Sequence, residues 1–209
     1  MKRHIYILIF GLTLGLIACN SSADKQAKYE NKSVSVDSIK KTETQNETAS
    51  VKDLREDCVR GQAEPIIKKT VFPNTKFILQ PDSLTAIETV NFDNGDKLTI
   101  RNWGCEYYVL TFRFETSRFQ ADTKAMKYWY VTTYRILKEM QKGIDAPVEI
   151  EKGLQALNSH ISKNVFDLKL QTEIDFAGDE IREFITVEQI EKLTDNKFAI
   201  TVSFTTGPL

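Results

Sequence analysis

The chain has 209 residues, with 28 basic and 29 acidic side chains and a formal net charge of −1 at pH 7. This near-balance gives no electrostatic reason to expect nucleic acid or another polyanion as a partner. Twelve phenylalanines, seven tyrosines and two tryptophans are enough for one packed core. Length and composition therefore predict a single folded domain of about 155 residues.

The first 19 residues have the layout of an export signal. Lys2 and Arg3 precede an apolar run over residues 5–17, which is too short for a transmembrane helix. The run ends in Leu16-Ile17-Ala18-Cys19. These four residues resemble the lipobox of bacterial lipoproteins, which implies a signal peptide over 1–18 and a palmitate-type lipid on Cys19. The alternatives are an uncleaved N-terminal anchor and an ordinary cleaved signal.

The residues after Cys19 bear on where such a lipoprotein would be held. Asn20 stands where an aspartate is linked, in some bacteria, to retention in the inner membrane. The resemblance therefore favours the cell outer membrane. Residues 21–25 hold one acid, Asp24, so they offer little of the acidic tag of some surface lipoproteins, and the periplasmic face is favoured over the cell surface. Without residues 1–18 the chain keeps 26 basic and 29 acidic residues, a charge of −3.

Residues 19–52 contain a single aromatic residue, Tyr29, among many polar ones. Such a segment buries too little apolar surface to offset the entropy of ordering, so a disordered tether is predicted. The folded α+β domain is predicted over 53–209.

Cys58 and Cys105 are an even pair once Cys19 carries lipid, and an oxidising compartment favours a disulfide between them. Two buried free thiols are the alternative. These cysteines lack histidines close by in sequence to complete a metal site, since His160 is the only histidine after residue 4.

Alternating apolar residues predict four strands in the first half of the domain. They are expected over residues 75–80, 84–92, 96–102 and 105–115. In the second of these, Glu88 is the one charged residue on an otherwise apolar face. In the fourth, Tyr108, Leu110, Phe112 and Phe114 form the inward face.

The turn at Asp93-Asn94-Gly95 determines how the second and third strands pair. A two-residue turn would place Phe92 opposite Lys97, whereas a three-residue turn with Gly95 at positive φ places Val90 opposite Leu98. The second arrangement keeps one face mostly apolar. We therefore predict a type I turn followed by a bulge at Gly95.

Apolar spacings of three and four predict two helices in the second half. The first stripe is Met126, Trp129, Tyr130, Thr133, Leu137 and Met140, with Gly143 as a stop, and the second is Ile150, Leu154, Leu157 and Ile161 after Pro147. Strands are then predicted over residues 166–176, 181–190 and 198–204. A capping-box pattern at residues 186–189 makes a short helix the alternative for the second of these. Together, these strands and helices predict an antiparallel sheet of six to seven strands with two helices on one face.

The sequence contains few groups suited to catalysis. His160 lies at a polar helix position, where a solvated side chain is expected, and no G-x-S-x-G, H-E-x-x-H, Walker A or G-x-G-x-x-G pattern occurs. Four acids cluster around Gly178: Asp175, Asp179, Glu180 and Glu183. Two of them held about 5 to 10 Å apart could hydrolyse a glycoside if one were buried. Acids flanking a turn are more often simply solvated. No catalytic residue, cofactor or metal site is predicted.

Aromatic residues concentrate between Trp103 and Tyr134. Trp103 and Tyr107 do not share the apolar stripes, and Cys105, Tyr107 and Arg113 alternate on one strand face. The disulfide would bring Arg60 towards that face. Arg60, Trp103, Tyr107 and Arg113 therefore form a predicted binding patch of residue types enriched at protein interfaces. The opposing interpretation is that residues 51–74 cover this face.

Three functions are compatible with this sequence. The favoured one is a lipid-anchored, non-enzymatic module that binds another envelope protein, with inhibitor or immunity roles as examples. The second is an envelope hydrolase with a carboxylate site. The third is a structural or assembly lipoprotein.

Overall fold

The structure is a computed structural model that describes residues 58–177 and 180–209. The predicted signal peptide, Cys19, the tether and residues 53–57 of the predicted domain lie outside the described residues, as does Asp179 of the acidic cluster. Among the described residues no helix is long and apolar enough to cross a membrane.

Seven strands form one antiparallel sheet, which confirms the predicted α+β class. The sheet order is β1-β2-β3-β4-β7-β6-β5. The long central pairings are therefore β4 with β7 and β7 with β6. The strands are β1 Thr75–Leu79, β2 Ala86–Asn91, β3 Lys97–Trp103, β4 Tyr108–Thr116, β5 Glu173–Ala177, β6 Glu183–Lys192 and β7 Phe198–Thr206.

Two α-helices occupy the middle of the chain, where the apolar spacing predicts them. Helix α1 spans Met126–Met140 and continues into a 3₁₀ turn over Gln141–Gly143, and helix α2 spans Ile150–Lys163. The predicted stripes are largely buried, and Ile136 of α1, which the prediction left out, is buried with them. Both amphipathic helices thus present one apolar side to the core.

Side-chain alternation defines two faces of the sheet. The face that carries Leu110, Phe112 and Phe204 is buried and is here called the inner face. The ring of Trp129 in α1 lies 5.0 Å from that of Phe198. Gly153 of α2 packs beside the ring of Phe204. The face of opposite parity is called the outer face.

The β2–β3 hairpin has the predicted register. Val90 pairs with Leu98 and Glu88 with Ile100. Gly95 has a φ of +83°, and its N–H donates to the carbonyl oxygen of Phe92 at 3.0 Å. The three-residue turn with glycine in the left-handed region is confirmed, because it is the geometry that keeps the apolar residues of both strands on the inner face.

The strand predicted over residues 166–176 is wrong in its first half. Only Glu173–Ala177 forms a strand, Phe166 is fully exposed, and Gln171 has a φ of +61°. The N–H of Gln171 bonds to the carbonyl of Val187, so the chain enters the sheet only after this turn. The alternation of apolar residues over 166–172 therefore does not mark a strand. These residues form a loop in which Leu168 is the one buried side chain.

The strand interpretation of residues 181–190 is confirmed by β6, and the helical alternative is wrong. A bulge between Val187 and Gln189 shifts the pairing with β7 by one residue. As a result, both Val187 and Ile190 point to the inner face although they are three residues apart.

The chain before β1 packs on the inner face. Glu88, buried with 2% of its surface exposed, accepts hydrogen bonds from the backbone N–H groups of Ile66 (2.7 Å) and Ile67 (3.2 Å). Ile67 also forms a β-bridge with Ile144. Over the described residues 58–74, this contact places the segment on the inner face, opposite the face that the sequence analysis considered it to cover.

Candidate functional site

The predicted disulfide between Cys58 and Cys105 is confirmed. The two Cα atoms lie 5.2 Å apart, within the range that a disulfide spans. Cys105 stands in the bend between β3 and β4, directly after Gly104, whose φ is +109°. The bridge therefore fixes the start of the described chain to one end of the sheet.

Trp103 of the predicted patch lies on the outer face, at one end of a cross-strand row. Trp103 pairs with Val109, Val109 with Thr205, and Thr205 with Phe184. The row therefore has an aromatic side chain at each end and two smaller side chains between them. Three strand spacings separate Trp103 from Phe184, about 14 Å.

An arginine stacks on each of these two aromatic rings. The guanidinium carbon of Arg101 lies 4.7 Å from the ring centre of Trp103, and that of Arg182 lies 4.5 Å from the ring centre of Phe184. Both distances suit cation–π contacts. Stacking restricts each side chain, so that less conformational entropy is lost when the pair meets a partner.

Hydroxyl groups connect the centre of the same face. The indole N–H of Trp103 donates to Thr111 Oγ1 at 3.1 Å, and Thr111 Oγ1 lies 3.4 Å from Ser203 Oγ. Thr186, which pairs with Ser203, has a buried hydroxyl without a hydrogen-bond partner in the described part of the chain. The centre of the outer face is thus polar, small and held in place by the tryptophan.

Tyr107 lies outside this row, beside Gly207. Its ring lies against Gly207, where a Cβ atom would come within 2.6 Å of Tyr107 Cδ1. The N–H of Gly207 donates to the carbonyl of Arg182 at 3.0 Å, and the N–H of Leu209 donates to that of Glu106 at 2.7 Å. Tyr107 is 40% exposed, so a large part of its ring faces solvent.

Arg113 shares the outer face but lies apart from this row. Its partner on β3 is Thr99, four residues before Trp103 along the strand. It forms ion pairs with Glu191 at 2.9 Å and with Glu115 at 3.8 Å. Arg113 therefore belongs to an ion-pair group within the chain, and the structure does not bring it together with Trp103 and Tyr107.

The expectation that the disulfide brings Arg60 to the outer face is wrong. Arg60 bonds to the carbonyl of Gly104 at 3.3 Å and to Oδ1 of Asn102, and its guanidinium lies 4.6 Å from the ring centre of Tyr108. Asn102 and Tyr108 have inner-face parity and are buried. The short path from Cys58 to Arg60 turns towards the inner face instead.

We call Arg101, Trp103, Tyr107, Arg182 and Phe184 the outer-face patch. Trp103 and Tyr107 were predicted from the sequence, and the other three residues were not. Phe184 lies 81 residues after Trp103 in sequence, and only the pairing of β4 with β7 and of β7 with β6 brings them into one row. An arginine two residues before an aromatic residue, which occurs at both 101–103 and 182–184, was the available signal.

Of the acidic cluster, Asp175 is ion-paired, whereas Glu183 at the start of β6 has a buried Oε2 without a hydrogen-bond partner among the described residues. Arg182 binds Asp175 and Glu173, each at 2.6 Å. Within the described residues no group of three His, Cys, Asp or Glu side chains is arranged to hold a metal ion.

His160, expected to be solvated, is half-buried beside Tyr130, with ring centres 6.1 Å apart. Its Nδ1 lies 3.2 Å from the side-chain nitrogen of Asn164. Burial lowers the pKa of His160 below its usual value, because a buried imidazolium loses hydration.

Comparisons of the chain with protein-family models, with curated proteins and with solved structures found no match to any of them.

Proposed function

We propose that the protein is an exported, lipid-anchored envelope lipoprotein that binds another protein through the outer-face patch and catalyses no reaction. The lipobox-like residues before Cys19 support the anchor. The Cys58–Cys105 bridge is compatible with an extracytoplasmic compartment, where disulfides persist. Asn20 supports attachment to the outer membrane, and the single acid in residues 21–25, Asp24, supports its periplasmic face over the cell surface.

One observation carries the binding proposal: the outer face has an arginine–aromatic pair at each end of one cross-strand row, with small side chains between them. Tryptophan, tyrosine and arginine are the residue types most enriched among side chains that dominate interface energies. Val109 and Thr205 between these pairs are themselves buried, so a partner would contact the aromatic and arginine side chains at the two ends of the row. An inhibitor-like or immunity-like role belongs to this class.

We also propose a common position for the two helices on the sheet. Helices α1 and α2 both cover the inner face and leave the outer face to the partner. The contacts of Trp129 with Phe198 and of Gly153 with Phe204 support this arrangement, because Phe198 and Phe204 share one face of β7.

Two single substitutions test the patch. Trp103→Ala and Tyr107→Ala should each weaken binding by about 2 kcal/mol, roughly thirtyfold in Kd, while the melting temperature stays within a few degrees of wild type. Binding is measured after cross-linking in intact cells identifies a stoichiometric partner, which is then purified and titrated by calorimetry.

Phe166→Ala is the matched control, because Phe166 is an exposed aromatic residue outside the sheet. It should bind like wild type. A large fall in melting temperature in both patch variants would make these residues part of the core and remove the patch from the proposal. Unchanged affinity in both variants would remove it as well.

The anchor has its own test. Cys19→Ala should abolish acylation and stop signal cleavage, because the thiol that carries the lipid is lost. Metabolic labelling with a palmitate analogue and the mobility of the mature protein measure both effects. Ser21→Ala, two residues further on, should label and mature normally. A Cys19→Ala protein that still takes up label would contradict the lipobox.

A further inference from the structure

A cavity of about 330 Å³ opens on the other side of the sheet from the outer-face patch. Its walls come from three separate segments of the chain. They include Arg60 and Glu64 near the disulfide, Asn102 and Tyr108 of the sheet, and Asp145 after the 3₁₀ turn. This volume lies at the small end of the range for sites that hold small molecules, roughly 300–1,000 Å³.

Arg60 is the central feature of this cavity. It is half-buried, and no carboxylate of the described residues lies within ion-pair distance of it, so its charge is not neutralised by contact. Burial lowers the pKa of Arg60, but a guanidinium remains protonated at physiological pH. A partly desolvated cation of this kind is stabilised by an anion that reaches it.

The guanidinium is held in a fixed position. Gly104 and Asn102 accept hydrogen bonds from its two terminal nitrogens, and the Tyr108 ring supports its face. Asn102 is itself buried and donates to the carbonyl of Glu64 at 3.4 Å. Burial raises the pKa of Tyr108 to about 12, so its hydroxyl stays neutral and does not cancel the charge of Arg60.

Acidic side chains line the same cavity. Glu64 is exposed, and the Asp145 side chain is 77% exposed and lies 3.7 Å from Lys68 Nζ. The backbone N–H of Asp145 donates to the carbonyl of Ile66 at 2.7 Å, which fixes where this acid stands. The cavity thus combines one half-buried cation with two exposed carboxylates, of which Asp145 is also paired with Lys68.

We propose that this cavity binds a small zwitterion of the amino acid class, with the ligand carboxylate on Arg60 and its ammonium group facing Glu64 and Asp145. An arginine fork matches a carboxylate in shape and charge. A simple anion would meet the two acids, and a simple cation would meet Arg60. A molecule with both charges is complementary to both ends, and the site does not depend on binding at the outer-face patch.

The test is a calorimetric titration of the full chain in detergent with a panel of the common amino acids. At least one should bind saturably with a Kd of about 1 mM or tighter. The amide and the N-acetyl derivative of that amino acid should each bind about tenfold more weakly, because each lacks one of the two charges. Neither derivative requires a variant, so these measurements stand even if a substitution at Arg60 impairs folding.

Arg60→Gln should also lose about tenfold or more in affinity, whereas Arg135→Gln, an exposed arginine of α1, should bind like wild type. The proposal is overturned if no amino acid binds within the stated range, or if Arg60→Gln binds as tightly as wild type. Equal binding of either derivative overturns it too, since one of the two charges would then play no part.

Discussion

Glu88 shows how a single buried charge can organise a segment distant in sequence. Its carboxylate oxygens accept the N–H groups of Ile66 and Ile67, and this contact docks the chain that follows the disulfide. Burial raises the pKa of Glu88 above its usual value, and the two N–H donors oppose that shift. The pKa of Glu88 is raised overall, so burial raises it by more than the two hydrogen bonds lower it.

This direction predicts how stability depends on pH. A carboxyl group whose pKa is higher in the folded than in the unfolded chain stabilises the fold fully below its unfolded pKa, about 4.3. The contribution is lost as pH rises through the folded pKa. The stability of wild type relative to Glu88→Gln should therefore be greatest near pH 4 and decrease as pH rises from there.

Urea unfolding of both proteins across pH 4 to 8 measures this difference. Glu115→Gln, at a half-buried carboxylate outside the core, serves as the control for the general effect of removing an acid. An advantage of wild type that grows with pH would show that the N–H donors outweigh burial.

At the scale of the elements, helix α2 depends on a residue that weakens helices. Gly153 lies within α2 and is buried, and a Cβ atom there would come 2.5 Å from Phe204 Cε1 and 3.2 Å from Phe176 Cε1. The missing side chain lets the helix approach β7 and β5 closely. Packing here takes precedence over helix propensity, which would favour alanine by about 1 kcal/mol.

Gly153→Ala is therefore expected to destabilise the protein by about 1–3 kcal/mol, because the phenylalanine rings must move to admit the methyl group. Thermal unfolding checks this value. Gln155→Ala, on the exposed side of the same helix, should change stability by no more than about 0.5 kcal/mol. A more stable Gly153→Ala protein would mean that the rings relax freely.

Periodicity explains which elements the sequence predicted and which it did not. The register of the β2–β3 hairpin followed from parity alone, because only one turn length keeps Val90 and Leu98 on the same face. Residues 166–172 alternate equally well, yet their backbone turns at Gln171 and leaves Phe166 in solvent. A pattern records which residues could share a face, and long-range pairing decides whether they do.

Some residues of the outer-face patch could likewise be predicted from the sequence and others could not. Trp103 and Tyr107 could be chosen from sequence because they fall outside the local apolar stripes. Phe184 could not be added to them, because nothing local in the sequence indicates that β7 is inserted between β4 and β6. Arg60 was placed on the wrong face since the disulfide fixes where Cys58 lies but leaves the direction of the next two residues open.

At the scale of the whole molecule, the disulfide joins the first described residue to the bend between β3 and β4. The bridge encloses β1, β2 and β3 in a loop with a sequence separation of 47 residues. Closing a loop of this length reduces the entropy of the unfolded chain by an amount worth about 4 kcal/mol in the chain-entropy model.

Replacing both cysteines by serine should lower the unfolding free energy by about 2–5 kcal/mol. Denaturant unfolding of this double variant against wild type gives the value. Wild type treated with a reductant should match the variant. Mass spectrometry of protein prepared without reductant should find the two cysteines in one bridged peptide pair, and two freely alkylated thiols would contradict the bridge.

The same covalent bond determines how the molecule carries mechanical load. A pull on the chain before Cys58 passes through the sulfur atoms directly to Cys105, so residues 59–104 bear no tension. The load then enters β4, which is hydrogen-bonded along its length to β3 and β7. Reduction would add roughly 160 Å of extensible chain between the point of pull and β4. With the bridge intact, the domain resists a pull from its N-terminal side through the pairings of β4 with β3 and β7.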